Sequence, residues 1–162
     1  NMKKIFILIS VFLSSVIHSE TIASCGPVEG ITYYPYYGPF SSESNSGFQK
    51  DAISKGKTSL TLKDKEFDVL YIDTLGDITS SRDSGANVLI NSFTSAQNKF
   101  SVLAIYPNNS LEVYSFWKDK GGSLKYSMTL VRGGTSSNHK TSILEGDCNY
   151  IKFEWMETYF DD

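Results

Sequence analysis

The sequence predicts an all-β protein: an antiparallel meander of about seven strands, forming a sandwich or a small barrel, behind an irregular N-terminal segment. Three observations carry this expectation. From Lys57 onward apolar residues alternate with polar ones at a period of two, β-branched and aromatic residues fill those runs, and Gly, Pro, Asn and Asp punctuate them at short intervals. Outside the first residues, no stretch of a dozen shows the 3.6-residue apolar stripe of an amphipathic helix.

Residues 1–19 have the layout of a secretory signal peptide. Lys3 and Lys4 form a basic start, Ile5 to Ile17 an apolar stretch too short to span a bilayer, and small residues allow cleavage after Ser19 or after Ala23. Ile22-Ala23-Ser24-Cys25 also resembles a bacterial lipobox, in which the cysteine is lipidated. Here His18, Ser19, Glu20 and Thr21 intervene between it and the apolar stretch, so soluble export to the periplasm or exterior is the leading expectation.

Residues 20–57 are expected to be mostly irregular, with at most a short edge strand over Ile31 to Tyr37 and one helical turn over Phe48 to Ile53. Pro27, Pro35 and Pro39 stand among several glycines and a run of serines, and proline removes a donor that a strand ladder needs. Residues 58–162 form the expected β domain. Its runs are Leu60–Leu62, Phe67–Ile72, Ala86–Phe93, Phe100–Tyr106, Leu111–Trp117, Leu124–Val131 and Tyr150–Met156. Asp64-Lys65, Leu75-Gly76-Asp77, Pro107-Asn108-Asn109 and Asp119-Lys120-Gly121-Gly122 supply the turns. Runs such as Val69–Ile72 and Val102–Ile105 are apolar on both faces, which places them centrally.

Removing the leader takes away Lys3 and Lys4 and moves the formal net charge from −3 to −5. An acidic chain of this kind is a poor match for nucleic acid, whose phosphates need a basic surface. No second apolar run has the length of a membrane span. Cys25 and Cys148 are the only cysteines, and in an oxidising compartment they are expected to pair; lipidation of Cys25 would exclude that bridge.

No catalytic, metal or cofactor motif stands out. Asp73, Asp77 and Asp83 are the densest group of oxygen ligands, but they fit no calcium-loop spacing and read as turn carboxylates. His139 is the one histidine beyond the leader, and no nucleophile elbow accompanies it. Glu112, Asp68 and Glu154 are carboxylates within strand runs, where outward charges are ordinary. The unusual feature is Tyr33-Tyr34-Pro35-Tyr36-Tyr37: four tyrosines offer amphipathic area suited to a protein or glycan partner. The expectation is thus an exported, non-catalytic binding or interaction domain. A small hydrolase using carboxylates or His139 is the alternative, and a structural envelope component or lipoprotein is the third.

Overall fold

A computed structural model describes residues 19–36, 42–94, 98–107, 109–133 and 139–160. Residues 1–18 of the expected leader and Tyr37 lie outside the described residues.

The described residues form ten antiparallel strands in a single sheet, with a single 3-10 turn at Glu43–Asn45 and a short α-helix after the last strand. In order these are β1 (Glu20–Tyr34), β2 (Gly47–Ile53), β3 (Lys57–Lys63), β4 (Glu66–Ile72), β5 (Ile78–Ser80), β6 (Asn87–Thr94), β7 (Lys99–Ile105), β8 (Leu111–Lys118), β9 (Leu124–Arg132), β10 (Lys140–Ile151) and α1 (Phe153–Phe160). The sheet order is β5-β4-β3-β1-β10-β9-β8-β7-β6, with β2 added alongside β1. A lone sheet settles the choice between sandwich and barrel, because it curls on itself into a half-barrel. β4, beside the short edge strand β5, approaches β6 at the opposite edge of the sheet. Arg82 ties them: its Nε donates to Phe67 O of β4 at 2.6 Å and its Nη2 to Val88 O of β6 at 3.1 Å.

The hairpins follow the turn chemistry of the sequence. Asp64 and Lys65 take φ of 51° and 66°, the left-handed pair of a two-residue turn whose twist matches the flanking strands. Asp73 Oδ1 accepts from the backbone N–H of Leu75 and of Asp77, so this carboxylate caps its own turn. Among the described residues no cluster of three or more His, Cys, Asp or Glu could hold a metal ion.

Three local expectations are corrected. The segment expected to be irregular carries β1, which lies at the heart of the sheet between β3 and β10, as well as β2. Proline is tolerated there because Pro27 sits where the β1–β10 register shifts, between Cys25 and Val28. Gly30 is a close-approach position: a Cβ on it would lie 2.1 Å from Ile143 O of the neighbouring strand. The final run is not a strand beyond Ile151. It turns into α1, whose Phe153 and Met156, one helical turn apart, pack on the core. The strand count rises to ten chiefly through β1, β2, the short β5 and the first half of β10.

Cys25 and Cys148 form the expected disulfide. They stand opposite each other in the β1–β10 register, with Cys25 fully buried. The core fills one end of the half-barrel. Phe153 meets Phe100 edge-on at 6.0 Å, Phe100 stacks on Phe116 at 4.9 Å, and Phe116 stacks on Tyr126 at 6.0 Å. With Ile22, Leu60, Phe67, Ile151 and the wholly buried Met156, this ladder plugs that end. Aromatic pairs at these separations contribute roughly 0.5–1.5 kcal/mol each beyond the area they bury.

Candidate functional site

The other end of the half-barrel is not filled. Strand alternation places Glu112 and Tyr114 of β8, Tyr126, Met128, Leu130 and Arg132 of β9, and Lys140 and Leu144 of β10 on the concave face. They face Asp51 of β2, Thr58 of β3, Tyr71 of β4, Thr79 of β5 and Tyr106, which follows β7. Together they line a cavity of about 510 Å³. That size is within the roughly 300–1,000 Å³ of pockets that take drug-sized ligands. Its floor is apolar and aromatic, and its upper wall carries the charges.

The upper wall is pre-ordered. Glu112 Oε2 accepts from Tyr114 OH at 2.7 Å and from Tyr106 OH at 3.0 Å. Tyr106 OH also lies 3.0 Å from Ser81 Oγ. One hydroxyl has one proton, and the carboxylate is the stronger acceptor, so Ser81 is the donor in that second contact. Burial, reinforced by Glu112, pushes the Tyr106 hydroxyl up to about 12 and holds Tyr114 well above its ordinary value. Both therefore remain neutral donors at any physiological pH.

Across the cavity, Thr32 Oγ1 donates to Asp51 Oδ2 at 2.7 Å and stands 2.7 Å from Ser142 Oγ. Lys140 Nζ completes the group, 3.5 Å from Asp51. The Thr32 hydroxyl and the Lys140 ammonium hold the Asp51 carboxyl below its usual range, against the opposing effect of burial. Lower down, Tyr126 OH donates to Gly26 O at 2.7 Å, which fixes the floor to β1.

No family model matches the chain, nor does any curated protein or solved structure. The site therefore has to be read from its own geometry.

The residues singled out in the sequence fall in different places. Tyr33 and Tyr34 sit on opposite faces of β1, as alternation requires, and Tyr36 beyond the strand is exposed. Tyr33 lies on the outer face beside Phe48 of β2, ring centroids 5.0 Å apart, so these three tyrosines do not form one surface. Asp68 is turned away from the cavity and caps the turn after β5, accepting from Ser80 Oγ at 2.6 Å and from Arg82 N at 3.1 Å. Glu154 lies on α1, at the plugged end, and His139 just precedes β10. Of Asp68, Glu112 and Glu154, Glu112 alone lines the cavity. Tyr71, Tyr106, Tyr114 and Tyr126, which line it together, are scattered through the sequence, and no local signal joins them.

Proposed function

We propose that this chain is an exported, non-catalytic binding protein that holds a small molecule in the lumen of its half-barrel. The observation that carries the reading is the cavity itself: an apolar, tyrosine-rich floor below a few convergent polar groups already held in place by hydrogen bonds. Such an arrangement binds with little ordering cost. Asp51 and Glu112 are engaged by neighbouring hydroxyls, which suits fixing the orientation of a bound molecule.

Export to the periplasm or exterior is supported by the leader-like residues 1–19 and by the Cys25–Cys148 disulfide, a bond typical of oxidising compartments. No helix among the described residues is long and apolar enough to cross a membrane.

The test is an unbiased one. The disulfide-intact protein is incubated with a small-molecule extract of the host envelope and observed by native mass spectrometry, beside a Thr79→Trp variant. Thr79 is exposed yet lines the cavity, so the indole occupies lumen space without overpacking the core. A ligand retained by the wild type and lost by the variant supports the reading. Ligands retained equally by both would place binding elsewhere.

A second reading is contact with a protein partner through the outer face. It is favoured by Tyr33 and Phe48, 41% and 76% exposed, next to the exposed Ile31 and Ile143. Replacing Tyr33 and Phe48 by Ser should abolish a stoichiometric pull-down partner without lowering stability. An unchanged pull-down rejects that surface.

A further inference from the structure

The charges lining the cavity are Asp51, Glu112, Arg132 and Lys140. Lys140 and Asp51 satisfy one another at 3.5 Å. Glu112 and Arg132 remain. In the β8–β9 register Glu112 stands opposite Leu130, which makes Arg132 its diagonal neighbour on the same concave face. Opposite charges at such diagonal positions, about 7–8 Å apart, are within reach of long side chains. Here they do not pair. Arg132 makes no ion pair with a described residue, and Glu112 turns one oxygen, Oε2, to the two tyrosine hydroxyls.

The other oxygen of Glu112, Oε1, accepts no hydrogen bond from a described residue. Every fully buried polar side-chain atom among the described residues has a partner, so Oε1 is not sealed in but accessible, on a residue that lines the cavity. Arg132, for its part, is directly opposite Lys140 in the β9–β10 register. Two cations therefore stand side by side, and Asp51 pairs with Lys140 alone, so the Arg132 charge is left unbalanced at that end. The four charges of the lining sum to zero, but the half-buried Glu112 and the exposed Arg132 are separated and unpaired, one negative and one positive pole. Four tyrosines line the same space, and aromatic walls attract an organic cation through the ring quadrupole.

Resting on the lumen being a binding site, we propose that its ligand is a zwitterionic amine–carboxylate, an amino acid or short peptide with an apolar side chain. The ammonium lies against Glu112 Oε1 among the tyrosines. The carboxylate meets the Arg132 guanidinium at the rim, where a bidentate pair is available. The apolar body rests on Val28, Met128, Leu130 and Leu144. The size of the cavity leaves room for more than one residue of a peptide.

Isothermal titration of the disulfide-intact protein with four matched probes tests this: L-phenylalanine, phenethylamine, hydrocinnamate and phenethyl alcohol. Phenylalanine should bind tightest and phenethylamine next. Hydrocinnamate and phenethyl alcohol should be weaker than phenylalanine by about tenfold or more, the factor expected for losing one charge-assisted hydrogen bond. Glu112→Gln keeps an acceptor for the tyrosine hydroxyls and should weaken both amines by about tenfold. Arg132→Gln should weaken phenylalanine and leave phenethylamine unchanged. Hydrocinnamate or phenethyl alcohol binding as tightly as phenylalanine, with binding lost in Thr79→Trp, overturns the zwitterion while the lumen reading stands. Failure of all four probes to bind overturns it too, and the envelope screen then decides the lumen reading independently. Should Glu112→Gln not fold, the ranking of the four probes on the wild-type protein decides alone.

Discussion

Replacing Arg82 by alanine should open the seam of the half-barrel. The guanidinium bridges β4 and β6 across the seam of the curled sheet, Nε to Phe67 O at 2.6 Å and Nη2 to Val88 O at 3.1 Å. Each is a hydrogen bond from a charged donor, a class that contributes about 1.5–3 kcal/mol when partly screened from water. The Arg82 side chain is 31% exposed, so water replaces part of what is lost. A net destabilisation of about 2–4 kcal/mol follows. The nearby Glu66, 3.9 Å away and 68% exposed, adds little to this. Arg82→Lys keeps the charge but cannot present two donors in a planar fork, so it should recover less than half of the loss. Urea denaturation of the three proteins measures this directly. An alanine variant within about 0.5 kcal/mol of wild type, the range of an ordinary surface substitution, would refute the view that Arg82 holds the seam.

Two further outcomes are expected. Cys25→Ala/Cys148→Ala removes a link between residues 123 apart, for which the chain-entropy relation gives about 5 kcal/mol; urea denaturation should show a loss of about 3–5 kcal/mol, and a loss below about 1 kcal/mol would contradict the assignment. Stability should also fall at alkaline pH. The Tyr106 pKa is raised to about 12 and that of Tyr114 is raised as well, so the unfolded chain releases these protons first, and stability present below pH ~10 is lost as pH climbs through the folded-state values. The Tyr106 shift alone corresponds to about 2–3 kcal/mol. Urea denaturation at pH 9 and pH 12 checks the loss, and phenolate absorbance of the native protein checks its cause; all ten tyrosines ionising together near their ordinary value would rule it out.

Much of the fold was legible in the residues. β9 alternates cleanly because one face meets the core or the lumen, whereas β3 and β7 are recognisable as nearly continuous buried runs. β1 was hidden by its glycines and proline. Gly30 reads locally as a loop residue, yet it is there because β10 passes too close for a side chain. β10 was masked in the same way: Gly146 would put a Cβ 2.3 Å from Pro27 O, and its outward residues Glu145, Asp147 and Asn149 dilute the β pattern. At the C-terminus, Ile151, Phe153 and Trp155 imitate strand alternation, whereas Phe153 and Met156 are the pair that counts once the chain is helical. The site was less legible still. Glu112 looks like any outward strand charge until the direction of curl is known, because that decides which face becomes the lumen. Tyr114 shares its face by strand spacing, two residues on, whereas Tyr106 reaches it from beyond β7 through the β7–β8 register.

The position of the disulfide also decides how the molecule responds to force. β1 and β10 are adjacent and antiparallel, and Cys25 and Cys148 lie toward the plugged end of that pair. Tension applied between residues 19 and 160 reaches the covalent bond after peeling only the first few residues of β1, the last few of β10 and α1. The intervening residues 26–147 are bypassed, so roughly 40 nm of contour length, at about 3.3–3.6 Å per residue, stays hidden. In a stretching experiment the oxidised protein should give a short extension and then stiffen, with the cavity and everything lining it from Gly26 to Leu144 outside the load path.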